Sequence, residues 1–75
     1  MADITFKRIA PRESRIYLDG DLIGEVYRDD DIINGGAPVW IIHLDEDWRG
    51  PQRVHDRRQI REITHRLILT HPFYG

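Results

Sequence analysis

In Arg15-Ile16-Tyr17-Leu18-Asp19-Gly20-Asp21-Leu22-Ile23-Gly24-Glu25-Val26-Tyr27-Arg28, two runs rich in aliphatic and aromatic residues flank an Asp-Gly pair. Asp-Gly between such runs signals a β-hairpin, because both residues tolerate positive φ. A loop of Leu18, Asp19 and Gly20, with Gly20 left-handed as a bulge, pairs Ile16 with Leu22. That register collects Ile16, Leu22, Gly24 and Val26 on one face and Arg15, Tyr17, Ile23, Glu25 and Tyr27 on the other. A two-residue loop instead brings Ile23 round to join Ile16, since a slip of one residue exchanges the faces. The first register is the expected one.

Working outward, Thr5–Ile9 reads as a first strand with Ile4 and Phe6 on one face, ended by Ala10-Pro11. Asp29-Asp30-Asp31 ends the hairpin, and Asn34-Gly35-Gly36 is a turn. Pro38–Leu44 is apolar on both faces except at His43, the pattern of a strand at the centre of the sheet. Trp48-Arg49-Gly50-Pro51 reads as a turn leading into a helix, with Asp56 and Gln59 spaced like a capping box. Ile60, Ile63, Thr64, Leu67 and Ile68 follow the i, i+3, i+4, i+7, i+8 spacing of one buried helix face, which runs to about Thr70 ahead of His71-Pro72. The expected fold class is α+β, a four-stranded, mostly antiparallel sheet (β-β-β-β-α) with one C-terminal helix packed on one face.

The chain has 75 residues, 40% hydrophobic and 32% charged, as expected of one globular domain spanning residues 1–75. Cysteine is absent, which excludes disulfides, Cys-ligated zinc and thiol catalysis. The longest apolar run, Val39-Trp40-Ile41-Ile42, is far short of the ~20 residues of a membrane helix. Met1-Ala2-Asp3-Ile4-Thr5 lacks the basic flank and apolar core of a signal peptide, so a cytoplasmic location is expected. So small a core leaves little room for a deep cofactor pocket, and no cofactor is expected.

Nor do the reactive side chains form a recognisable catalytic set. Ser14 is the only serine and sits among charged neighbours at a strand start. His43, Asp45 and His55 are the best metal trio, but no motif spacing supports them and no metal site is expected. Nothing matches GxSxG, a P-loop or a dinucleotide fingerprint. The chain therefore reads as a non-enzymatic binding protein.

Charge says where it binds. Residues 1–47 carry five bases and eleven acids, while residues 48–75 carry six bases and two acids. Antiparallel pairing of Leu22–Arg28 with Pro38–Leu44 puts Asp45, Glu46 and Asp47 at the same sheet end as Asp19 and Asp21. These five carboxylates, with no base expected to neutralise them, form a candidate surface for a basic protein or nucleoprotein complex. Tyr17 and Tyr27 share the face opposite the expected core, where they suit either a second copy of the chain or a foreign protein. The alternative is a small nucleic-acid-binding regulator. Arg58, Arg61 and His65 form an outer helix stripe with Arg57 and Arg66 at its margins, and Arg49 and Arg53 in the preceding turn extend it toward phosphate.

The format from Tyr17–Arg28 through Pro38–Leu44 to the arginine-rich helix resembles small phage- or prophage-encoded proteins, anti-CRISPR inhibitors among them. That resemblance implies a non-enzymatic inhibitor or adaptor whose acids compete for basic surfaces built to hold nucleic acid. It is one of size and layout and assigns no residue a role.

Overall fold

The computed structural model describes residues 3–31 and 35–74 and has one sheet covered on one face by one helix. Five strands follow in chain order: β1 (Ile4–Ala10), β2 (Glu13–Leu18), β3 (Asp21–Asp31), β4 (Ala37–Leu44) and β5 (Gln52–Val54). All pairings are antiparallel and the strand order in space is β1-β2-β3-β4-β5, a simple meander. A 3₁₀ turn at Arg57–Gln59 then leads into α1 (Ile60–Leu69). Among the described residues, no helix is long and apolar enough to cross a membrane.

The sheet has one strand more than expected. β5 is three residues long, pairs with Trp40–Ile42 of β4, and contributes a single buried apolar side chain, Val54. Three residues behind a proline carry too little alternation to announce a strand. β4 gains a neighbour on each side, but β3 and not β4 occupies the middle of the sheet.

The hairpin register also differs. Asp19 and Gly20 both have positive φ, 51° and 88°, and form a two-residue loop closed by Leu18 opposite Asp21. Tyr17 then faces Leu22, but a bulge follows and Ile16 faces Gly24. The extra residue is Ile23, which turns into the core at 3% exposure while Leu22 is left 49% exposed. The expected exposure of Ile23 and burial of Leu22 are therefore reversed. The bulge absorbs the one-residue slip, so Ile16, Gly24 and Val26 still share one face and Arg15, Tyr17, Glu25 and Tyr27 the other.

The core forms where alternate strand residues meet the helix. Ile4, Ile16, Ile23, Val26, Ile42, Leu44 and Val54 are buried with Leu67 and Ile68, and Phe6, Trp40, Ile60 and Ile63 pack around them. Thr64 completes the helix stripe and is fully buried. Gly24 lies opposite Leu44 at the centre of this layer. A β-carbon there would overlap the carbonyl oxygen of His43 and stand 3.0 Å from the Leu44 Cα, so only glycine lets β3 and β4 approach. The Asn34-Gly35-Gly36 turn lies partly outside the described residues; Gly35 and Gly36 both have positive φ.

Candidate functional site

The turn between β2 and β3 and the loop after β4 lie at one end of the sheet. Asp45 donates its backbone N–H to the Ile23 carbonyl (2.7 Å), which fixes that loop beside the Asp19–Asp21 turn. Asp3 joins them: its N–H donates to Asp19 Oδ1 (2.8 Å), and Asp19 N–H donates to the Asp3 carbonyl (2.9 Å). Asp3, Asp19, Asp21, Asp45 and Glu46 are all exposed there. Glu46 has a φ of 57°, an uncommon conformation for a residue with a β-carbon.

Asp47 does not belong to this surface. Its side chain is 1% exposed and accepts from Arg49 three times: from Nε at 2.8 Å, Nη2 at 2.9 Å and the backbone N–H at 2.9 Å. The side-chain hydrogen bond from Arg49, which outweighs the opposing effect of burial, holds the Asp47 carboxyl below its ordinary pKa. Arg49 also donates to Thr70 Oγ1 (2.5 Å) and the Leu67 carbonyl (2.9 Å). The pair is thus a strut between the loop after β4 and the C-terminal end of α1. Both residues are committed to the fold, which removes Asp47 from the acidic surface and Arg49 from the basic one.

A second tie lies alongside. His71, 2% exposed, accepts the Phe73 N–H at Nδ1 (3.0 Å), so the ring proton sits on Nε2 and is donated to the Asp45 carbonyl (3.1 Å). The ring stacks on Tyr74 with centroids 4.2 Å apart. Burial, then the charges of Asp45 and Glu46, push the Tyr74 phenol above its ordinary pKa. Nothing in the sequence marks His71 except its place just beyond the helix. His43 lies on the sheet face away from α1 and His55 follows β5; among the described residues no three metal-ligating side chains converge.

The other predicted arginines disperse. Arg53 lies opposite Ile41, on the sheet face away from α1. Arg66 reaches back to Glu62 (3.3 Å) as an exposed i, i+4 pair. Arg58 and Arg61 remain together, and the fold supplies them with partners that sequence spacing does not reveal. On the helix side of the sheet, Arg8, Ser14 and Val26 form one cross-strand row and Arg28 stands opposite Trp40 in the next. These rows extend past the start of α1. Between them and the helix lies a cleft of about 600 Å³.

Six arginines line it: Arg8, Arg12, Arg28, Arg57, Arg58 and Arg61, with Glu13 the only carboxylate among the described residues and Phe6, Val26, Trp40 and Ile60 among the apolar lining. Several are held in place. Arg8 donates to the carbonyls of Ala10 (3.3 Å) and Pro11 (3.0 Å), and Arg61 donates to the Ile4 carbonyl (3.2 Å) with its guanidinium 5.2 Å above the Phe6 ring. Asp56 caps the 3₁₀ turn by accepting the Arg58 N–H (3.0 Å) and also pairs with the Arg58 side chain at 3.2 Å. That side-chain hydrogen bond lowers the Asp56 pKa. Arg12 approaches Asp30 at 3.7 Å, whereas Arg28 and Arg57 form no ion pair among the described residues. Guanidinium groups converging on an aromatic-lined cleft suit phosphate oxygens, which they bind through paired N–H donors.

The structure thus unites Asp19, Asp21, Asp45 and Glu46 at one end, as expected, and places Tyr17 and Tyr27 on the face opposite the helix. In place of the expected patch of helix arginines with Arg49 and Arg53, it forms a cleft that adds Arg8, Arg12 and Arg28 from the acidic half of the chain to Arg57, Arg58 and Arg61. Comparison with known protein families, with curated proteins and with solved structures returns no match to this chain.

Proposed function

We propose that the protein is a non-catalytic nucleic-acid-binding module that holds the phosphate backbone in the arginine cleft. The convergence of six arginines from the β1, β2 and β3 regions and the start of the helix on one aromatic-lined cleft carries this reading. Phosphate contacts supply affinity without requiring sequence readout, and aromatic side chains beside a basic groove favour single strands. Fluorescence anisotropy with labelled single- and double-stranded oligonucleotides tests it across a salt series. Wild-type binding should weaken steeply with salt, and Arg28→Gln/Arg57→Gln should lower the magnitude of the log–log slope by about one to two. Absence of binding at low salt, or an unchanged slope in the double variant, overturns the reading.

The acidic end favours a second reading, an inhibitor or adaptor that docks a basic protein or nucleoprotein surface. Its support is five exposed carboxylates, Asp3, Asp19, Asp21, Asp45 and Glu46, none in an ion pair among the described residues. An arginine-rich peptide serves as the probe. Asp19→Asn/Asp21→Asn/Asp45→Asn/Glu46→Gln should lower its affinity at least about tenfold, or ~1.4 kcal/mol. Equal binding by the wild type and the quadruple variant removes this reading and leaves the cleft.

A further inference from the structure

Among the described residues no helix lies over the sheet face turned away from α1, and its charges form a pattern. Side chains alternate along each strand, so burial of Ile16, Val26, Ile42 and Leu44 against the helix turns Arg15, Glu25 and His43 outward. Lys7, Arg15, Glu25 and His43 form one row across four strands. On one side of that row Tyr17 stands opposite Leu22, and on the other Tyr27 stands between Glu13 and Ile41. Arg15 and Glu25 are cross-strand neighbours, yet neither forms an ion pair among the described residues.

We propose that this face binds the same face of a second copy of the chain, about a two-fold axis lying in the face along the β2–β3 boundary. The charge pattern selects that axis. An axis along β3 sets Glu25 against Glu25 of the second copy, and an axis along β2 sets Arg15 against Arg15. Between the two strands, β2 of each copy crosses β3 of the other, and Arg15 meets Glu25 twice. The same operation sets Tyr17 over the exposed Leu22 and Glu13 over the Tyr27 hydroxyl. A self-complementary patch of this kind is what a closed dimer needs. About that axis β2 overlays β3 and β1 overlays β4, so four strands of about six residues overlap in a face of roughly 19 by 20 Å, below the standard size of a specific interface, and the dimer is weak and concentration-dependent. The arginine cleft opens on the helix side of each copy and meets this face only at its edge, where Glu13 and Tyr27 also line the cleft; the charge pattern that selects the axis lies outside it, so this inference does not rest on the proposed function.

Sedimentation equilibrium and a mixing experiment test it. The wild type should shift with concentration from 8.9 kDa toward twice that mass. Arg15→Glu alone faces glutamate with glutamate in a homodimer, and Glu25→Arg alone faces arginine with arginine. Each should weaken self-association at least about tenfold. An equimolar mixture restores both opposite-charge contacts and should associate within about threefold of the wild type, a result that damage to either fold cannot produce. A wild type that stays at the monomer mass up to about 1 mM, or a mixture no tighter than its components, overturns the proposal. If a reversal unfolds the chain, Leu22→Asp at an exposed position replaces it: loss of the dimer mass supports the interface, and an unchanged mass overturns it.

Discussion

Replacing Gly24 with alanine is expected to lower the melting temperature by roughly 12 °C or more, the largest effect of any single methyl group in this fold. The added carbon meets backbone, the His43 carbonyl and the Leu44 Cα, so no side-chain rotation relieves the overlap. β3 must move away from β4, in the middle of the sheet, where Val26 and Ile42 lie in the adjoining row. Overpacking of this kind costs ~3 kcal/mol when backbone has to shift. A domain of 75 residues has only ~4–11 kcal/mol of stability in total. Gly20→Ala is the control: its φ is 88°, but nothing lies within 4 Å of the added carbon, so only the backbone preference is lost, about 1 kcal/mol. Thermal melts by circular dichroism compare the two. A Gly24→Ala melt within a few degrees of Gly20→Ala refutes the close approach of β3 and β4.

The strut gives the second large effect. Arg49→Met leaves the Asp47 carboxylate enclosed without its guanidinium and takes one donor each from the Leu67 carbonyl and the Thr70 hydroxyl, which remain bonded to each other. Breaking an enclosed ion pair from one side harms more than never having had it, and a fall in melting temperature of roughly 10 °C is expected. Asp47→Asn keeps an acceptor for Arg49 and should lose about half as much. Acid provides an independent check. Folding lowers the Asp47 pKa from its ordinary 3.8, so the carboxylate stabilises the native state fully above that value. The contribution is lost as pH falls from 3.8 through the lower native pKa, because the unfolded chain takes up the proton first. Melts between pH 7 and pH 2 should show the wild type and Asp47→Asn converging in that acid range. Curves that stay parallel throughout show that the pair does not support the fold. Asp56, lowered likewise by Arg58, sits on a solvent-screened pair and should leave little trace in the same titration.

How much of this was legible follows from how local each signal is. The helix was plain, because Ile60, Ile63, Thr64, Leu67 and Ile68 repeat at its own period. The acidic end was plain too, since antiparallel pairing and two turns place Asp19, Asp21, Asp45 and Glu46 together. Asp47 misled: two residues before an arginine, it looks like another turn acid, and only the docking of α1 shows that Arg49 folds back onto it. Ile23 misled for another reason. The two-residue turn alone carries Ile23 inward, and the bulge after it keeps Gly24 and Val26 on the same face, whereas each register considered used only one of these devices. Of the arginine cleft only the helix half, Arg57, Arg58 and Arg61, could be read. Arg8, Arg12 and Arg28 are scattered through an acidic stretch, and they meet Arg57, Arg58 and Arg61 only because the meander returns the chain beneath the helix.

That return has a kinetic side. Every strand pairs with its neighbour in sequence, so the sheet can assemble by short loop closures. The link from Arg61 to the Ile4 carbonyl, in contrast, spans 57 residues and exists only after α1 has docked. The cleft is therefore complete only once α1 has docked, and it is lost when the helix loosens. On the proposed function, a polyanion bound there would draw from the fully docked population alone, so that binding and helix docking would form one linked equilibrium and the ligand would act as a clasp on the fold.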